Sequence, residues 1–144
     1  MNHDAYDDEY IRKILSETKT IALLGASPNP GRPSHGVMQF LLSAGYTVFP
    51  INPGQEGKEI LGQHVYAKLA DIPVPIDMVD VFRAADNLPS IIEEVILLSP
   101  RPKVVWGQLS VRHDDAAAKA QAYGIDMVMD RCPAIEYPRL KISR

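Results

Sequence analysis

The chain has 144 residues, 46% of them apolar and 23% charged, a balance that suits one soluble globular domain burying about two-thirds of its unfolded surface. A net charge of −3 gives no electrostatic footprint for nucleic acid or a membrane surface. A single cysteine, Cys132, excludes an internal disulfide framework and a multi-cysteine zinc site.

The opening MNHDAYDDEY is acidic and polar, unlike a signal or transit peptide, and no apolar run approaches the ~18–20 residues that span a bilayer. A cytoplasmic location without membrane contact is expected. The first element is a helix over about 4–17, with Ile11, Ile14 and Leu15 on one face and carboxylates in its first turn. Residues 1–19 form this N-terminal piece and 20–140 the core, within one domain of 1–144.

Five short stretches then read as strands covered on both faces: TIALLG (20–25), TVFPIN (47–52), DMVDVF (77–82), KVVWGQ (103–108) and DMVMD (126–130). Helical patterns separate most of them. Val37, Phe40, Leu41 and Ala44 recur at helical spacing, with Ser34 as N-cap and Gly45 as stop. Ile91, Ile92, Val95 and Leu98 make a second stripe, and HDDAAAKAQAYG (113–124) a third helix that ends at Gly124. Segment 54–76 lacks a helical run and reads as a wrapped loop with a short turn or two. Alternating strands and helices imply right-handed parallel crossovers. The expected architecture is a Rossmann-like, doubly wound parallel α/β sheet of order 3-2-1-4-5, with its switch point between strands one and four.

Ligands of open α/β sheets bind outside the carboxyl ends of the strands. Those ends carry Gly25-Ala26-Ser27, Asn52-Pro53, Phe82-Arg83, Gln108 and Asp130-Arg131-Cys132. Gly25 permits a tight turn, Ala26 and Ser27 keep the backbone approachable, and free N–H groups there with the next helix N-terminus would hold an anion. Pro28, Pro30 and Pro33 stiffen the loop, and Arg32 adds a cation suited to phosphate. The glycine fingerprint of NAD sites is incomplete, since Ser27 and Pro30 occupy its later positions. The second strand ends in Asn52 where an NAD site wants an acid. Lys58, Arg83 and Arg101 are further cations in strand-end connections, favouring a ligand more negative than NAD.

These stretches, together with GKEILGQHVYAKLADIP and MDRCPAIEYPRL, resemble the small single-domain CoA-binding proteins, whose domain is similar to the N-terminal domain of the succinyl-CoA ligase α subunit. The resemblance covers nearly all of 20–140. It implies that Gly25, Ala26, Ser27 and Arg32 bind the CoA phosphates and that Asn52 and Pro53 lie beside the nucleotide. It places Phe82 and Arg83 at adenine and ribose, and Gln108 along the pantetheine path. The ligase carries its phosphorylated histidine in a second domain, and this chain ends about where that domain would begin. The implied function is non-catalytic binding of coenzyme A or an acyl-CoA, as a carrier or sensor. The alternatives are an NAD(P)-dependent oxidoreductase using the same cleft, or an interaction module whose partner reads the CoA-bound state.

Other candidates carry less chemistry. Cys132, beside Arg131, is either a reactive thiol able to form a mixed disulfide with CoA or a small buried hydrophobe. His3, His35, His64 and His113 are dispersed without metal-ligand spacing, and His35 alone is placed to meet a phosphate. Ser27 lacks a nucleophile elbow. Asp80, mid-strand, needs buried donors and reads as a structural bond to a nearby loop. Trp106 and Phe49 read as packing. If Cys132 only packs, Cys132→Ser leaves CoA affinity unchanged by titration calorimetry.

Overall fold

The computed structural model describes residues 1–143. In chain order it contains α1 (Asp8–Glu17), β1 (Thr20–Leu24), α2 (Pro33–Ser43), β2 (Thr47–Ile51), β3 (Glu59–Ile60), β4 (Gln63–His64) and β5 (Met78–Val81). Then follow α3 (Leu88–Leu97), β6 (Val104–Gly107), α4 (Asp114–Ala122), β7 (Asp126–Val128) and α5 (Pro133–Arg139). The five expected strands are β1, β2, β5, β6 and β7, all parallel in one sheet. The expected wrapped loop holds the small antiparallel hairpin β3–β4.

Residues alternate across the sheet, as the strand period requires. Ile21, Leu23, Met78 and Trp106 face a core closed by α1, α2 and α5. Ala22, Leu24, Val79 and Val105 face a second core closed by α3 and α4. Helix α1 starts later than its pattern suggests, because the Asp7 side chain accepts from Glu9 N at 3.0 Å and caps it there. Helix α2 likewise begins at Pro33, with Arg32 at the N-cap, so Ser34 lies inside the first turn. Proline is favoured at the first helical position, where its missing N–H costs nothing. Gly45 and Gly124 end their helices at φ of +100° and +79°.

The strand order differs from expectation. It is β2-β1-β5-β6-β7, which in order of the five main strands is 2-1-3-4-5 rather than 3-2-1-4-5. The physical reason is Pro50. Proline cannot donate to a ladder and belongs on an edge strand, and the Pro50 carbonyl turns away from β1 to accept from Tyr66 N at 3.0 Å. With β2 confined to the edge, the chain returns across β1 and lays β5 on its other side. The switch point therefore falls between β1 and β5.

Both sheet edges are covered. Beside β2, Tyr66 donates to Pro50 while its own carbonyl accepts from Asn52 N at 3.0 Å. Beside β7, Tyr10 Oη donates to the Met127 carbonyl at 2.8 Å, and Met129 N donates to Tyr6 Oη at 2.9 Å. Buried Glu136 accepts from Arg131 and Arg139 at 3.2 and 2.9 Å, tying α5 to the chain before it.

At the switch point β1 and β5 come very close. Phe82 N donates to the Leu24 carbonyl at 2.8 Å, and a Cβ on Gly25, which has φ +89°, would sit 3.0 Å from the Phe82 carbonyl oxygen. Gly124, also at positive φ, has open space around it. Gly25→Ala is expected to lose ~2–3 kcal/mol of stability and Gly124→Ala ~1 kcal/mol, since only the first adds a backbone clash to the dihedral strain. Urea unfolding of the two variants measures the difference.

Candidate functional site

The carboxyl ends of β1, β2 and β5 surround a cleft of about 470 Å³. Eight of the nine residues expected to form a site line it: Gly25, Ala26, Ser27, Arg32, Asn52, Pro53, Phe82 and Arg83. Pro33 and Ser34, from the first turn of α2, complete the wall. Reading Ser34 as a helix cap concealed its place there, although Pro33 at a first helical position already signalled it.

The loop after β1 is held from below. The Ile51 carbonyl accepts from both Gly25 N and Ala26 N, at 3.1 and 3.2 Å. Asn52 Nδ2 donates to the Ala26 carbonyl at 2.8 Å, and Asn52 Oδ1 accepts from Gly54 N at 2.9 Å. These bonds correct the expectation that the Gly25 and Ala26 N–H groups are free for an anion. They also give the Asn52 amide a bracing task. Further along, Ser27 Oγ accepts from Asn29 N at 3.1 Å and Asn29 Oδ1 from Gly31 N at 2.9 Å. Turns of this kind stiffen the loop together with its prolines.

What remains available to a ligand is specific. The N–H groups of Ser27 and Ser34 have no hydrogen-bond partner among the described residues, and the Ser27 hydroxyl keeps its proton to donate. Arg32 makes no capping bond and stands exposed at the rim. Arg83 Nε is buried and has no partner. The exposed Arg32 guanidinium and the Ser27 and Ser34 donors fit this cleft to a ligand rich in acceptor oxygens.

Gln108, the ninth expected residue, lines a second cavity of about 370 Å³, which shares Pro33, Phe82 and Arg83 with the cleft. Its side chain also turns inward. With its nitrogen towards the strand, the Gln108 amide donates to both Asp80 oxygens, at 3.0 and 3.3 Å. Asp80 lies in register between Leu23 and Trp106. Burial alone pushes its carboxyl well above the usual carboxylate range. The structural bond expected of Asp80 is thus this one.

Several expected cations and histidines lie elsewhere. Arg101 precedes β6, at the opposite end of the sheet, where Nε and Nη2 both donate to the Ile96 carbonyl at 3.1 Å. Lys58 is exposed beside the hairpin, and His35 follows the two α2 residues that line the cleft without lining it. His113 caps α4, its Nδ1 accepting from Ala116 N at 3.1 Å. Cys132 packs in the core among α2 and α5 side chains and borders the second cavity. Trp106 is buried and donates to the Arg131 carbonyl at 2.8 Å. Among the described residues no group of three or more His, Cys, Asp and Glu side chains is placed to hold a metal ion, and no helix is long and apolar enough to cross a membrane.

A family model described as a CoA binding domain matches residues 19–138. The chain belongs to the CoA-binding domain family. This CoA-binding domain is 36% identical over 122 residues to the uncharacterized protein YneT of Bacillus subtilis, covering 85% of this chain and 87% of that one. It is 32% identical over 86 residues to the alpha subunit of the ADP-forming acetate–CoA ligase I of Pyrococcus furiosus, covering 57% of this chain but 19% of the subunit. A hypothetical protein from Pyrococcus horikoshii superposes with a TM-score of 0.89 at 40% identity, covering 98% of this chain and 96% of that one.

The Asp80 carboxyl predicts a pH dependence. Its pKa is raised on folding, so the native state holds that proton more tightly than the unfolded chain does. The resulting stabilisation is complete below the ordinary carboxylate pKa of ~3.9 and is lost as pH rises through the folded value. Asp80→Asn keeps a hydrogen-bonding partner for Gln108 but cannot ionise. Melting curves from pH 4 upward are expected to show the wild type losing stability relative to Asp80→Asn as pH increases.

Proposed function

We propose that the cleft binds the phosphates and nucleotide of coenzyme A or an acyl-CoA, and that the protein acts as a non-catalytic carrier or sensor. The observation that carries the reading is the convergence of Arg32, Arg83 and the open N–H groups of Ser27 and Ser34 on one cleft. Four donors of this kind suit a diphosphate: guanidinium groups meet its oxygens as charged forks, and the backbone N–H groups add direction. Membership of the CoA-binding domain family supplies the ligand class. In this reading Gly25 and Ala26 shape the floor, Asn52 and Pro53 border the nucleotide, and Phe82 offers a ring beside the base.

The competing reading, an NAD(P)-dependent oxidoreductase, has less support. The residue at the end of β2 is an amide already engaged by the Ala26 carbonyl and Gly54 N, so no carboxylate reaches towards ribose hydroxyls. The cleft's polar side chains are Ser, Arg and Asn, a set for holding an anion in place.

Thermal shift with CoA, dephospho-CoA, NAD and NADP tests the reading. Free CoA at ~100 times its dissociation constant adds ~2.7 kcal/mol, seen as a rise of several degrees, with a smaller rise for dephospho-CoA. Arg83→Ala is expected to weaken CoA binding ~10- to 100-fold, the range for a charged hydrogen bond. Arg101→Ala, altered at the opposite end of the sheet, leaves CoA affinity unchanged. A shift with NAD or NADP but none with CoA overturns the proposal.

A further inference from the structure

Among the described residues, four that are not glycine have a left-handed backbone: Leu61, Ser110, Asp130 and Lys141. Two of the four hold each other's loops. Ser110 N donates to Asp130 Oδ1 at 2.6 Å, and Asp130 N donates to the Val111 carbonyl at 3.3 Å. Outliers of this kind persist only where the surroundings over-determine them, and they gather at ligand sites.

The strain belongs to a tight turn after β6. Val111 N donates to the Gln108 carbonyl at 2.8 Å, and the third residue of that turn, Ser110, has φ +70°. Glycine or asparagine is the usual occupant of such a position, so serine needs outside support. The turn also lies hard against the strand it leaves, since a Cβ on Gly107 would come 2.5 Å from the Val111 carbonyl oxygen. Its support comes from the loop after β7. Asp130 takes the Ser110 N–H, and Arg131 N donates to the Gly107 carbonyl at 3.3 Å.

All four residues from Gln108 to Val111 line the second cavity, whereas Asp130 does not. That cavity shares Pro33, Phe82 and Arg83 with the cleft, so a ligand held by its phosphates has a continuous course along the ends of β1, β5 and β6. The turn is one wall of that course. We infer that Asp130 is a positioning residue for ligand binding: from outside the groove, its carboxylate holds the Ser110 turn in the shape that receives the arm beyond the phosphates. The inference rests on the CoA reading of the cleft and adds to it a residue that lines neither cavity. A wall formed in advance spares the ligand the ordering it would otherwise impose.

Titration calorimetry with CoA and with adenosine 3′,5′-bisphosphate, which keeps the nucleotide end and lacks the pantetheine arm, tests the assignment. Asp130→Gly and Asp130→Asn both accept a left-handed backbone, so both keep the fold, but only asparagine retains an oxygen for the Ser110 N–H. Asp130→Gly is expected to bind CoA about tenfold more weakly, the worth of one hydrogen bond to a charged group, with its affinity for the bisphosphate unchanged. Asp130→Asn is expected to bind both ligands as the wild type does. An unchanged CoA affinity in Asp130→Gly, or a loss shared equally by the two ligands, overturns the positioning role while sparing the CoA cleft. An Asp130→Asn variant as weak as Asp130→Gly does the same. Failure of the wild type to bind CoA overturns both.

Discussion

The carbonyl of Ile51 accepts from two successive N–H groups, those of Gly25 and Ala26, and the neighbouring Asn52 amide closes on the Ala26 carbonyl from the same side. Three bonds thereby join the end of β2 to the turn after β1. The cleft floor is this junction. It sets the height at which Ser27 leaves the sheet to line the same cleft as Ser34 at the start of α2. The close contact of Gly25 with Phe82 does the same from the β5 side, so the loop is pinned between two strands before its prolines contribute. Rigidity of this kind reduces the ordering that a bound ligand would otherwise impose.

Much of this was legible in the residues. Strands buried on both faces must be apolar throughout, so the five main strands could be located directly, and their carboxyl ends brought together eight of the nine expected residues. Strand order was also written in the chain, since a proline in the second strand restricts it to an edge. The expected order of 3-2-1-4-5 left Pro50 out of account. Three elements were harder to see for physical reasons: β3 and β4 have two residues each, too few for a period, and α5 carries Pro133 and Pro138 within seven residues, which reads as a break in a helix.

The fine chemistry of the site was less accessible, because it depends on who donates to whom. No sequence pattern says that the Ile51 carbonyl occupies the Gly25 and Ala26 N–H groups, or that Asn52 is a brace. Arg83 and Arg101 look alike in the chain. One follows β5 and lies in the cleft, while the other precedes β6 and satisfies a helix carbonyl at the far end. Gln108 shows the same limit: its place after β6 was evident, but its dependence on Asp80 is a contact across neighbouring strands.

The covered edges have a consequence for how the molecule meets others. An open edge strand presents a row of unmatched backbone groups on which a foreign strand can template itself. Here Tyr66 occupies one margin, and the hydroxyls of Tyr6 and Tyr10 engage the other. Sheet extension between neighbouring molecules is thus disfavoured at both sides, which protects a short, strongly apolar sheet from fibrillar association. Any specific companion must instead dock on helices or on the rim of loops above the strands.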